Sequence, residues 1–184
     1  MVKIATVLAL VLLFTVPLMA QDDYPRIQTS LGYANLNLID FGAVDFNGIP
    51  TGATAHHSGF MNETGFNFTR NLGVNNYMGI YSLGGNTTMI ADFIGGKATY
   101  RAAKIAPYGV ASIGFAYLTS QTSYYGSSSF ATRFGGGVDI PINDSMAFKV
   151  EVSRMSFHFQ VTPTGGSWTS GTNIATGIVF TLAQ

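Results

Sequence analysis

The most regular pattern in the chain lies in residues 130–157, where hydrophobic and polar positions separate by parity. Phe134, Val138, Ile140, Phe148, Val150 and Val152 fall on one parity. Arg133, Gly135, Gly137, Asp139, Lys149, Glu151 and Ser153 fall on the other. Successive strand residues point to opposite faces, so the segment reads as two strands with one greasy face and one face of charges and bare glycines. Pro141-Ile142-Asn143-Asp144-Ser145 lies between them and reads as a tight turn. A soluble sandwich would turn its greasy faces to a shared core and leave its charges in water. Charges of both signs beside glycines describe a confined polar face instead. A closed barrel in lipid satisfies both facts, with hydrocarbon outward and a narrow polar interior.

The same alternation recurs along the chain. It predicts strands over 27–34, 60–70, 74–82, 88–100, 105–118 and 173–182, about eight with the two above. In 105–118, Ala111, Ile113, Phe115 and Tyr117 alternate with Val110, Ser112, Gly114 and Ala116, and the small residues suit a tapering interior. Connections alternate between short turns and longer polar loops, the longer ones at 37–57, 119–129 and 161–171. The expected fold is an all-β, eight-stranded antiparallel up-and-down transmembrane barrel. One position resists the pattern. Asp92 shares the outward parity of Ile90, Ile94, Ala98 and Tyr100, so either it lies above the membrane or a bulge shifts the register before Ile94.

The chain opens Met1-Val2-Lys3, then runs apolar from Ile4 to Leu18 and reaches a small residue at Ala20. This is the layout of a secretory signal peptide over residues 1–20, which leaves 21–184 as one domain. The apolar run is short for a membrane-spanning helix. There is no cysteine, so no disulfide stabilises the exported domain. Lys and Arg total 9, as do Asp and Glu, and the zero net charge makes no electrostatic case for nucleic acid.

At this point the chain resembles the small bacterial outer-membrane β-barrels of the OmpA/OmpX-like group, the outer-membrane β-barrel domain family. The residues that carry the likeness are Arg70-Asn71-Leu72-Gly73, Gly95-Gly96-Lys97, Ala106-Pro107-Tyr108-Gly109-Val110-Ala111, Gly135-Gly136-Gly137-Val138-Asp139 and Gly177-Ile178-Val179-Phe180. The resemblance implies residence in the bacterial outer membrane as a monomer, among outer-membrane lipid and lipopolysaccharide. It also implies delivery by periplasmic chaperones and the barrel-insertion machinery. The family typically ends in an aromatic residue, and Phe180-Thr181-Leu182-Ala183-Gln184 departs from that.

The interior parity collects Glu63, Lys97, Arg133, Asp139, Lys149 and Glu151, three acids and three bases. Charges removed from water must pair, so the set is expected to form an ion-pair network that plugs the lumen. Glu151 should pair with Arg133 or Lys149, and Asp139 with one of the same cations. The competing reading is a narrow ion or small-solute pore. Arg154 falls on the lipid parity and belongs at the outer rim, within reach of lipopolysaccharide phosphate; Arg70 belongs at the periplasmic rim. Tyr33, Tyr100, Tyr108 and Tyr117, with Phe60 and Phe180, are expected in aromatic girdles. The loops, with Tyr124, Tyr125, Phe130 and Trp168, suit surface contact with a ligand that the sequence does not name.

No metal, cofactor or catalytic residue is expected. Adjacent His56 and His57 would face opposite ways on a strand. The His-and-Ser pair of the lipid A deacylases has no match around Phe157-His158-Phe159, where Ser156 precedes the histidine. A lipid A-modifying enzyme and a soluble lipocalin-like binding barrel are therefore the lesser alternatives.

Overall fold

The computed structural model describes residues 24–39, 54–84, 87–102, 104–120, 123–162 and 165–183. They form eight strands: β1 (Ile27–Ile39), β2 (Thr54–Asn67), β3 (Leu72–Gly84), β4 (Thr87–Thr99), β5 (Ala106–Ser120), β6 (Ser123–Asn143), β7 (Met146–Thr162) and β8 (Gly165–Ala183). Each pairs antiparallel with the next, and β8 pairs back onto β1 to close the barrel. Hydrocarbon offers backbone groups no hydrogen bonds, so a spanning sheet must have no open edge.

The register fixes the barrel's width. A hydrogen-bonded row leaving Gln28 runs through Gly65, Asn75, Gly95, Ser112, Arg133, Met155 and Gly171 and returns to β1 at Leu38. It climbs ten residues in one circuit. Eight strands with that stagger are steeply tilted and enclose a space that side chains just fill.

Orientation follows the parity. Phe134, Phe148 and Val152 are 57%, 39% and 50% exposed, whereas Arg133, Lys149 and Glu151 are 0%, 1% and 1% exposed. Large apolar groups look out and ions look in, the reverse of a soluble fold.

The strands are longer than the alternation predicts. β1 runs to Ile39, and β2 begins at Thr54, so His56 and His57 are strand residues. Most of 119–129 and 161–171 is strand rather than loop, and Trp168 lies in β8. Where a wall leaves lipid, both faces turn polar and the alternation fades, although the backbone ladder continues. The expected leader at residues 1–20 lies outside the described residues, as do most of the first loop and the Tyr124 and Tyr125 side chains.

Asp92 is settled against a bulge. β4 keeps continuous register with β3 and β5 through Ile90, Asp92 and Ile94, and Asp92 faces outward. The irregularity in the β3–β4 ladder falls at Ser82/Gly84.

The interior glycines make room. A Cβ on Gly137 would stand 2.6 Å from the Tyr108 hydroxyl oxygen and 2.7 Å from its Cζ, whereas one on Gly96 would meet nothing within 4 Å. Gly137→Ala should therefore destabilise the barrel by about 1–3 kcal/mol through overpacking, read as a lower urea midpoint for loss of the compact, heat-modifiable band. Gly96→Ala should leave that midpoint in place.

Candidate functional site

The lumen holds two tiers. The periplasmic half, which faces the short turns, contains the ions. β2 supplies Glu63, β4 Lys97, β6 Arg133 and Asp139, and β7 Lys149 and Glu151; all six are buried. Glu63 is the hub, with Lys149 Nζ at 2.7 Å, Arg133 Nη2 at 3.1 Å and Lys97 Nζ at 3.4 Å. Arg133 Nη2 also donates to Glu151 at 2.5 Å, and Lys97 Nζ lies 3.4 Å from Asp139. The six thus form one connected cluster of zero formal charge.

Asp139 departs from its expected partners. Its neighbour in register is Lys149, yet the Lys149 ammonium crosses the lumen to Glu63 and Asp139 takes Lys97. In so narrow a barrel a long side chain reaches the opposite wall as readily as the next strand. The Glu63 carboxylate, shared by three cations, is the stronger attractor.

Tyr108 also departs from expectation. It is buried in the lumen rather than placed in a girdle: its hydroxyl donates to Glu151 at 3.1 Å, and its ring lies 4.0 Å from Lys97 Nζ and 4.9 Å from Lys149 Nζ. Its parity with Val110 and Ser112 already pointed inward. Aromatic faces lend the ammonium groups a neutral partner where water is absent. Arg133 uses Tyr77 likewise, with its guanidinium 4.1 Å from the ring centroid.

Above Arg133 a neutral relay takes over. The Tyr77 and Tyr81 hydroxyls are 2.9 Å apart, Tyr81 donates to Asn173 Oδ1 at 3.0 Å, and Asn173 Nδ2 donates to Tyr77 at 3.2 Å. Beyond it the interior is mainly apolar, with His57 and Ser129 also buried there. Leu36, Leu38, Met89, Met155 and Phe157 are fully buried, with Phe93, Ala91, Ala116 and Ala131 among them. The expected polar interior therefore describes only half of the lumen. Leu38 falls in the stretch read as loop and Leu36 just past the predicted end of the first strand, and methionines on an inward parity give no sign that they share one layer.

The lumen is closed at the ionic tier. The cavity beside Glu63, Lys97 and Lys149 has a volume of about 10 Å³, no more than a single water needs. The periplasmic mouth is an open vestibule of about 480 Å³, with Tyr24, Arg101, Asp139 and Asn143 among its lining.

The two charges expected at the rims are exposed on the outside. Arg70 is exposed between β2 and β3, where its carbonyl accepts from Arg101 Nε at 2.8 Å. Arg154 is exposed on β7 and donates to Ser170 on β8. Nearby, Trp168 meets Phe130 edge to face and His158 at a tilt, with ring centroids 6.4 and 5.1 Å away. Tyr33, Phe60, Tyr100 and Tyr117 face outward. His56 is exposed and His57 buried, on opposite faces of β2.

A closed eight-stranded wall, greasy outside and ionic within, defines a small outer-membrane β-barrel. Residues 6–180 match the family model "Outer membrane protein beta-barrel domain", and the chain belongs to that family. It resides in the bacterial outer membrane. No curated protein matches it in sequence. Among solved structures it is similar to Neisserial surface protein A, at 11% identity and a TM-score of 0.65, covering 85% of this chain and 97% of that one. It is also similar to OprG of Pseudomonas aeruginosa, at 12% identity and 0.52, covering 85% and 95%. Ail, the attachment invasion locus protein of Yersinia pestis, gives 15% and 0.50, covering 85% and 99%. At such identities the likeness is one of fold.

Arg133→Leu should lower stability by about 3–5 kcal/mol, because Glu63 and Glu151 keep buried charge that two lysines do not balance. Arg133→Met combined with Glu151→Leu should recover part of that loss, since the remaining charges again sum to zero. Urea midpoints of the folded band, compared across the three proteins, test both.

Proposed function

We propose that this protein is a non-conducting, non-catalytic outer-membrane barrel whose work is done at the cell surface, with the wall serving as a rigid anchor. One observation carries this reading: the lumen is stopped twice, by a self-neutral ion cluster and by an apolar layer above it. An ion would have to separate pairs such as Glu63–Lys149 and then shed its water among Leu36, Met89 and Phe157. Either step is prohibitive in a low-dielectric interior. A pore needs a continuous wet path, and a cavity of about 10 Å³ leaves none beside the hub.

Surface work suits the outer ends of β6, β7 and β8, which carry the Phe130–Trp168–His158 ring cluster with Phe130 and Trp168 exposed. The names of two structural neighbours, a surface protein and an attachment invasion locus protein, favour the same reading. The aromatic outer rim sits among lipopolysaccharide, and the chain reaches the membrane through a cleaved leader, periplasmic chaperones and the insertion machinery. The closed ladder needs no second copy to complete it.

Purified protein in planar bilayers should show no stepwise conductance at either polarity; discrete openings would replace this reading with a pore. Mass spectrometry of the protein from outer membranes should place the mature N-terminus at Gln21.

A further inference from the structure

From the geometry of Asp92 and Arg154 we infer that this barrel associates with further copies of itself in the membrane, head to tail, through Asp92 of one copy and Arg154 of the next. Asp92 is the starting point. It faces outward between Ile90 and Ile94 on β4, opposite Met78 and Phe115 on the neighbouring strands. Ile94 and Phe115 are 61% and 67% exposed. The continuous register gives the carboxylate no way to turn inward. Asn76 donates to it at 2.5 Å, and none of the ion pairs found among the described residues includes it. A carboxylate amid hydrocarbon seeks a cation or loses its charge.

The same wall carries an outward cation on another side, and the barrel geometry places it at the same height. The hydrogen-bonded row through Asp92 passes Phe115 and Phe130 and meets β7 at His158. Rows climb ten residues over eight strand steps, so three steps climb close to four residues. Four residues below His158 on β7 is Arg154. Asp92 and Arg154 therefore stand level along the barrel axis. Two copies standing side by side with the same orientation bring opposite charges together without sliding in the bilayer. Arg154 donates to Ser170, which leaves its remaining guanidinium donors to meet a carboxylate. The greasy flanks also match: Ile94 below Asp92 faces Val152 below Arg154, and Val152 is 50% exposed. Because β4 and β7 are different faces, every copy offers both halves of the contact. Contacts of that kind propagate as rings or rows rather than stopping at pairs.

The chain has no cysteine, which makes cross-linking clean. Ile94→Cys and Val152→Cys, placed together in one chain and oxidised in outer membranes, should give a ladder of dimers and higher species. Each single variant should give none with itself. In the double-cysteine background, Asp92→Asn should reduce the ladder by roughly tenfold or more, as expected when one partner of a desolvated pair is removed. Exchange of the charges, Asp92→Arg with Arg154→Asp, should restore it. Heat-modifiability of each variant verifies that the barrel is folded. A folded double-cysteine protein that stays monomeric would overturn the inference and leave Arg154 to lipopolysaccharide phosphate. A ladder unchanged by Asp92→Asn, or cross-links only to other proteins, would overturn it as well. None of these outcomes bears on the sealed lumen, which bilayer recordings test separately.

Discussion

Hydrocarbon has no donors or acceptors to give a polypeptide, and that constraint organises this protein. It compels the ladder to close, β8 onto β1, since an open edge would leave a row of backbone groups without partners. Closure with a ten-residue climb leaves a bore that side chains fill. In so narrow a bore, inward charges have no bulk water, and neutrality must come from the chain itself. Three acids and three bases meet that demand, but equal numbers alone would not suffice. Glu63 converts them into one cluster by accepting from three cations contributed by three different strands. The ionic tier thus follows from the same cause as the wall.

The apolar tier above it solves a different problem. A barrel filled with ion pairs from end to end would carry a heavy desolvation cost, because buried pairs roughly offset rather than exceed the loss of hydration. Leucine, methionine and phenylalanine fill the outer half without that cost. Tyr77 and Tyr81, each an apolar ring with a polar hydroxyl, lie between the tiers and share their hydroxyls with Asn173. They let a guanidinium and a methionine occupy neighbouring layers, with Arg133 Nε and Nη1 making no hydrogen bond there.

Much of this was legible before any coordinates. Strand number, closure and the inward set Glu63, Lys97, Arg133, Asp139, Lys149 and Glu151 follow from parity, because a period of two survives wherever one face touches lipid. Partner choice does not follow from parity. Asp139 sits beside Lys149 in register yet pairs with Lys97, since distance across the lumen depends on the stagger, which no single strand reveals. Tyr108 differs for another reason: residue type alone assigns it to a girdle, because aromatics serve both at membrane interfaces and under ammonium groups, whereas its parity with Val110 and Ser112 points inward. The outer ends of β6, β7 and β8 were hidden because Ser, Thr, Tyr and Gly on both faces erase the alternation although the ladder continues.

The wall's exterior is not uniform either, and its unevenness follows from the same tilt. On β5 the outward positions above Ile113 are Phe115 and Tyr117, so that side stays greasy. On β8 the outward positions above Ile174 are Thr172 and Ser170, and on β7 they are Arg154, Ser156 and His158. The apolar band therefore reaches higher on β5 than on β7 and β8. A barrel in a flat bilayer can match such a band only by leaning, or by facing something other than lipid on its more polar side. Arg154 has only polar outward neighbours above it on β7 and β8 up to Ser156 and Ser170, whereas Asp92, at the same axial height, has Ile90 and Tyr117 above it. Of the two, it is the apolar-flanked carboxylate of Asp92 whose position calls for a cationic partner.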